Sequence, residues 1–288
     1  MKTTSCKCTH TGDSASVQEN RVCMISGASS GIGKALALEM LRRGYSVSLS
    51  ARRPQVIEEY LSATFSPQDV EERCLVVKTD VSVEDECRKW VEETVRRYRR
   101  IDVLICNAGL SMRGLFGECK METLHRLMDV NFWGTTYCSN YALPYLLESK
   151  GSLVGVSSIA GYQSLPGRCA YSASKAAIHH LLDTIRVENL KKGLHVMVAC
   201  PGFTASHVRE NALDKDGNPQ GKTPRDEEKM MSAEKVARIM ADGIRRRKRS
   251  LVLTPLGKIT VFVQKFWPQL TESVAYSYMS KEPGSPVK

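Results

Sequence analysis

The chain has no run of about 18 apolar residues, so no segment reads as a membrane-crossing helix. Its first twenty residues are polar and lack the apolar core of a secretory signal. Metal-ligand spacing is missing as well. Cys6-Lys7-Cys8 is the one close cysteine pair, and no second pair or histidine cluster completes it, so no metal is expected. Acidic residues are in deficit, 31 against 41 basic ones, for a net charge of +10. That surplus favours anionic partners. It lies in short clusters, Arg96–Arg100 and Arg245–Arg249, each closing a helix-like segment just before an apolar run. Basic side chains there face the negative end of the helix dipole, and no nucleic-acid partner is expected. Repeats and Pro/Gly-rich linkers are also absent, which favours one domain over two.

What is present suits a globular α/β protein. The 288 residues, 42% hydrophobic, can bury a core without disulfides. Cys23, Cys106 and Cys200 lie in apolar strand-like runs and read as small core hydrophobes in a reducing, cytoplasmic compartment. From residue 21 strands and helices alternate. Strands are expected at 21–26, 45–50, 74–78, 102–106, 152–157, 194–200 and 251–254. Helices are expected at 31–43, 54–65, 82–99 (capped by Ser82), 121–149 (bent near Asn131–Gly134), 170–192 and 232–247. Such alternation implies parallel βαβ units and a doubly wound, seven-stranded parallel sheet with helices on both faces. The expected layout is a mobile tail (1–20), a single domain (21–257) with a loop lid at 203–231, and an amphipathic extension (258–288).

Chemistry is concentrated at the strand ends. Gly27-Ala28-Ser29-Ser30-Gly31-Ile32-Gly33 joins the first strand to the first helix. Glycines there permit a tight turn and close approach to a pyrophosphate, which the helix N-terminus attracts. An NAD site places Asp or Glu at the end of the second strand to hold the ribose 2′-hydroxyl. Here Arg52-Arg53 stands instead, matching a 2′-phosphate in charge and geometry, so NADP(H) is expected. Asp80-Val81 and Asn107-Ala108-Gly109 end the next two strands, where ligands of open α/β sheets sit. Asp80 can accept from an adenine amino group. Tyr171 and Lys175 stand at i and i+4 on one helix face, where an ammonium favours the phenolate. Ser157-Ser158 ends the strand just upstream, within reach of the same carbonyl oxygen. The histidines, among them His125, His179, His195 and His207, form no i, i+4 pair and read as structural or surface residues.

Taken together, Gly27-x3-Gly31-Ile32-Gly33, Asp80, Asn107-Ala108-Gly109, Asn131, Ser158, Tyr171-x3-Lys175 and Pro201-Gly202 resemble the short-chain dehydrogenase/reductase family in its own order. The resemblance implies a Rossmann fold and a catalytic tetrad of Asn131, Ser158, Tyr171 and Lys175. It implies that Ser158, thirteen residues before Tyr171, is the catalytic serine. It further implies that Tyr171 acts as general acid, that Asn131 seats a proton-relaying water, and that Pro201, Gly202 and Thr204 line the nicotinamide side.

Ile259, Phe262, Val263, Phe266, Trp267 and Leu270 recur on one face of an amphipathic helix, with Lys258 and Lys265 nearby. That stripe can wall the substrate site, pair two copies or lie on a membrane surface. It is similar to what relatives acting on steroids, retinoids and long-chain lipid ketones carry. The leading expectation is an NADPH-dependent carbonyl reductase, or secondary-alcohol dehydrogenase, for a bulky apolar substrate. It is expected as a homodimer or homotetramer, with peripheral membrane contact through 259–270. A 3-oxoacyl-[acyl-carrier-protein] reductase suits the positive charge too. A nucleotide-sensing binding protein has no need of the phenol–ammonium pair.

Overall fold

A computed structural model describes residues 21–202, 204, 210–221 and 230–287. The expected tail 1–20 and much of the loop 203–231 therefore lie outside the described residues. Seven parallel strands form one sheet: β1 (Val22–Ser26), β2 (Ser46–Ala51), β3 (Cys74–Lys78), β4 (Val103–Cys106), β5 (Ser152–Val156), β6 (His195–Cys200) and β7 (Ser250–Val252). Their order across the sheet is β3-β2-β1-β4-β5-β6-β7. The chain winds outward from β1 to β3, then returns to place β4 on the other side of β1. The doubly wound fold expected from the alternation is present.

Alternate side chains of each central strand enter different cores. Cys23, Ile25, Val103 and Ile105 pack with Leu36 and Met40 of α1 (Gly31–Arg42), Ile57 of α2 (Pro54–Ser62), and Val236 and Met240 of α8 (Ala233–Arg245). Met24, Leu104 and Cys106 enter the opposite core. There they meet Trp90 of α4 (Glu84–Tyr98), Ala142 and Leu146 of α6 (Gly134–Glu148), and Ile178 and Leu182 of α7 (Cys169–Glu188). Strands buried on both faces explain the near-continuous apolar runs of the sequence. A smaller cluster of Met112, Leu127, Ala170 and Leu213 gathers α5 (Met121–Met128), the start of α7 and the loop after β6.

The structure departs from the expected pattern in four places. An unexpected helix, α3 (Pro67–Arg73), precedes β3; the Ser66 hydroxyl accepts from the Asp69 amide at 3.1 Å and caps it. None of its residues is buried, so it carried no apolar period. Ser82 does not cap α4, which starts at Glu84 after Val83; its hydroxyl donates to Asp80 Oδ1 at 2.7 Å. Helix α7 ends at Glu188, and Gly193 (φ +79°) closes the following turn. Finally, the apolar stripe at 259–270 is not one helix. Trp267 leaves helical geometry, Pro268 opens a new helix, and the stripe divides between α9 (Pro255–Phe266) and α10 (Pro268–Ser280). Ile259, Phe262, Phe266, Trp267 and Leu270 are all more than half exposed. No helix among the described residues is long and apolar enough to cross a membrane.

Candidate active site

The strand order reverses between β1 and β4, which run parallel, and the loops leaving these strands open a crevice at their carboxyl ends. Gly27 turns the chain out of β1 with φ +66°, and a Cβ there would lie 2.8 Å from the Ala108 Cα. Side chains are thus excluded where the two loops cross. Asn107 stitches them: its Nδ2 donates to the carbonyls of Ser26 (3.0 Å) and Gly27 (3.2 Å). Ser26 Oγ accepts from the amides of Asn107 and Ala108 at 3.0 and 3.1 Å. Gly31 (φ +53°) starts α1, and the Ser30 side chain makes no cap bond. The first-turn amides therefore face the crevice as ready anion donors.

The result is a cleft of about 350 Å³. Of the expected cofactor residues, Gly27, Ser29, Ser30, Gly31, Ile32, Arg52, Arg53, Asp80, Val81, Asn107, Ala108, Gly109, Pro201, Gly202 and Thr204 border it. Arg52 and Arg53 leave β2 exposed at the cleft, with no carboxylate between them and α2. Asp80 Oδ1 accepts from the Ser82 amide (3.0 Å) and hydroxyl (2.7 Å), which holds its carboxylate at the cleft edge. Gly33 is not part of the lining. A Cβ there would sit 2.2 Å from the Gly27 carbonyl oxygen, so its service is close packing of α1 under the turn. The glycine turn and the uncapped helix start fit the pyrophosphate of a dinucleotide, with the guanidinium pair on the same cleft.

Ser158, Tyr171 and Lys175 border the same cleft. Lys175 is 5% exposed, and its Nζ donates to the Val156 carbonyl at 2.9 Å and lies 5.8 Å from the Tyr171 ring centre. Burial pushes its pKa down to about 8. Asn131 sits apart from the cleft lining, fully buried in a wide helical turn, Asp129–Trp133, between α5 and α6. Its Oδ1 accepts from the Leu110 amide at 2.7 Å; its Nδ2 donates to the Leu110 carbonyl (3.0 Å) and Ser174 Oγ (2.9 Å). Both amide protons are engaged by protein, so the side chain ties the loop after β4 to α7. Ser174 was not singled out from sequence. It links Asn131 to the Tyr171 carbonyl, to which its Oγ donates at 2.9 Å.

The far wall was not foreseen residue by residue. Leu110, Val130, Leu213 and Pro219 supply apolar surface, with Arg126 and Asn211 beside them. Arg126 stands one helical turn before Val130, the one signal that could have found it. The stripe of α9 and α10 contributes nothing to this lining, so the expectation of an apolar wall built from it is corrected. The two histidines nearest the sheet are structural. Burial lowers the His179 pKa to about 4, and its ring packs on Tyr162. His195 bridges Ser152 Oγ and the Lys248 carbonyl, both at 2.9 Å.

Comparison with known proteins agrees with this geometry. Residues 21–217 match the family model described as short chain dehydrogenase. An 11-beta-hydroxysteroid dehydrogenase A of Sesamum indicum is 33% identical over 281 residues, covering 93% of this chain and 78% of that protein. The 11-beta-hydroxysteroid dehydrogenase 1A of Arabidopsis thaliana is 32% identical, with 88% and 73% covered. A short-chain dehydrogenase structure from Streptomyces avermitilis superposes with a TM-score of 0.76 at 26% identity, covering 90% of this chain and 97% of that one.

Proposed function

The chain belongs to the short-chain dehydrogenase family, and from that premise we propose that it is an NADPH-dependent oxidoreductase for a bulky, mainly apolar ketone or the matching secondary alcohol. One observation carries the reading. The phenol of Tyr171, the hydroxyl of Ser158 and the buried ammonium of Lys175 share one cleft with the Arg52–Arg53 pair. The relatives named as hydroxysteroid dehydrogenases support a steroid-like or lipid-like skeleton, as do Leu110, Val130, Leu213 and Pro219 on the wall.

The dinucleotide, when bound, supplies or accepts hydride; the protein supplies position and electrostatics. Gly27, Gly31 and the first turn of α1 would hold the pyrophosphate, and Arg52 and Arg53 would hold the 2′-phosphate. Tyr171 donates its phenolic proton to the carbonyl oxygen as charge develops there. Ser158 donates a hydrogen bond to the same oxygen. Lys175 stabilises the phenolate left behind. Asn131 and Ser174 tie the loop after β4 to the α7 backbone at Tyr171, which holds the phenol in register. Tyr171→Phe should keep NADPH binding and lose roughly 10²–10⁴-fold in turnover of the best substrate in a ketone and alcohol screen. A variant retaining more than about a tenth of the rate overturns the assignment.

The bare stripe supports one further element of this reading. Apolar side chains of α9 and α10 face solvent with Lys258 and Lys265 among them, a pattern suited to a membrane surface carrying anionic lipid. Flotation with anionic vesicles, abolished by Phe262→Asp/Phe266→Asp, is the expected result. Failure to float, with a dimer or tetramer that dissociates in the same variant, assigns the stripe to a second copy instead.

A further inference from the structure

The segment after α10 turns back towards the cleft and is held there by charge. Glu282 is 9% exposed. Its Oε2 lies 3.5 Å from Arg168 Nη2 and 3.8 Å from Arg113 Nη2, and neither arginine side chain is more than 12% exposed. Arg113 Nη2 also donates to the Pro283 carbonyl, and Arg168 Nη1 to the Met112 carbonyl, both at 2.5 Å. Behind this contact, Gly167 (φ +70°) lies so near Pro286 that a Cβ would meet its Cγ at 2.9 Å.

The two arginines come from segments that frame the substrate end. The Arg113 amide donates to the Leu213 carbonyl at 2.7 Å, and the Leu213 amide to the Ser111 carbonyl at 2.9 Å. Leu213 borders the cleft. Arg168 immediately precedes α7 and stands three residues before Tyr171. Its neighbour Gly167 accepts from the Gly114 amide at 3.1 Å. One carboxylate thus clamps the loop after β4, the loop after β6 and the start of the tyrosine-bearing helix.

We propose that Glu282 is a positioning residue for the substrate: by holding Arg113 and Arg168 together it fixes the Met112–Leu213 pairing, and with it the wall the substrate meets. It acts through the arginines, not on the reacting atoms. Without its charge, the two buried guanidiniums lose the carboxylate they share, and separating their segments relieves their repulsion. The inference rests on the proposed reductase reading only in its kinetic arm.

The test is Glu282→Gln in the full chain with NADPH present. Hydrogen exchange at the Arg113, Gly114 and Leu213 amides should quicken about tenfold, or roughly 1.4 kcal/mol of local opening, while the amides of α1 stay as protected as before. KM for the best ketone should rise about tenfold with kcat and the KM for NADPH unchanged. Arg113→Gln/Glu282→Gln removes one opposing cation and should bring exchange part-way back; a tail that merely packs would lose protection additively. Unchanged exchange in folded Glu282→Gln overturns the proposal, as does faster exchange with an unaltered KM. If no carbonyl compound is turned over by the wild type, the reductase reading falls, and the exchange arm still decides the clamp.

Discussion

Lys175 offers the sharpest test of the site, because its burial predicts opposite effects on stability and activity. Its ammonium is 5% exposed and donates to one carbonyl, at 2.9 Å. Burial pulls its pKa from 10.5 to about 8, so the charged form costs the fold about 3 kcal/mol. At pH 7 about nine-tenths of the chains carry the charge, and at pH 9 about one-tenth. If the ammonium stabilises the Tyr171 phenolate, kcat/KM for NADPH, which reports the free enzyme, should fall about tenfold per pH unit above 8. The stability effect has the reverse sign. Between pH 8 and 10.5 the folded chain has lost this proton and the unfolded chain still binds it, so this group's contribution to stability rises with pH. Below pH 8 the penalty is present in full. Lys175→Met removes it and forfeits a hydrogen bond worth about 1 kcal/mol. The variant should gain about 2 kcal/mol, or roughly 4–8 °C in Tm at pH 7, and lose nearly all turnover. Calorimetry and a pH–rate profile read the two halves. A rate flat to pH 10, or Lys175→Met melting below the wild type, refutes the reasoning.

Two further outcomes are expected. Arg52→Ala should raise KM for NADPH about 10–100-fold, by removing a charge-assisted phosphate contact, and leave KM for NADH nearly unchanged; equal use of both cofactors by the intact chain contradicts the 2′-phosphate assignment. His179, neutral in the fold with a pKa near 4 against 6.5, should make the protein less stable as pH falls from 6.5 towards 4, by up to about 3 kcal/mol, because only the unfolded chain takes the proton there. Melting curves of His179→Gln should lack that part of the acid slope.

The features legible in the sequence are those built within one strand–helix unit. Gly27 and Gly31 mark a turn whose positive φ angles need no distant partner. Tyr171 and Lys175 share a face through helical spacing alone, and Arg52-Arg53 announces itself by the missing carboxylate. The seven-stranded, doubly wound parallel sheet followed from the alternation of strands and helices. Local signals failed where tertiary contacts decide. Ser82 is a good N-cap residue, but its hydroxyl goes to Asp80 and the helix starts later. Pro268 stood within the apolar stripe as a break signal, yet the spacing on either side concealed it, because Ile259, Phe262 and Phe266 before it and Leu270 after it all face outward.

The substrate wall was illegible for a stronger reason. Leu213 reaches the cleft through hydrogen bonds to residues about a hundred positions earlier in the chain. Asn131 is held by Leu110 and Ser174, 21 and 43 positions away. Glu282 meets Arg168 across 114 positions. No periodicity or short motif encodes such contacts, since each side chain taken alone reads as an ordinary surface charge or core leucine. The cofactor half of the cleft rests on backbone geometry that tolerates little change, with Cβ positions at Gly27 and Gly33 lying 2.8 and 2.2 Å from neighbouring atoms. The wall rests instead on side-chain contacts between separate segments, which substitution can rearrange without disturbing the sheet. Substrate preference should therefore respond to changes at Arg113, Leu213 and Glu282, while cofactor preference responds to Arg52 and Arg53, and the two should vary independently.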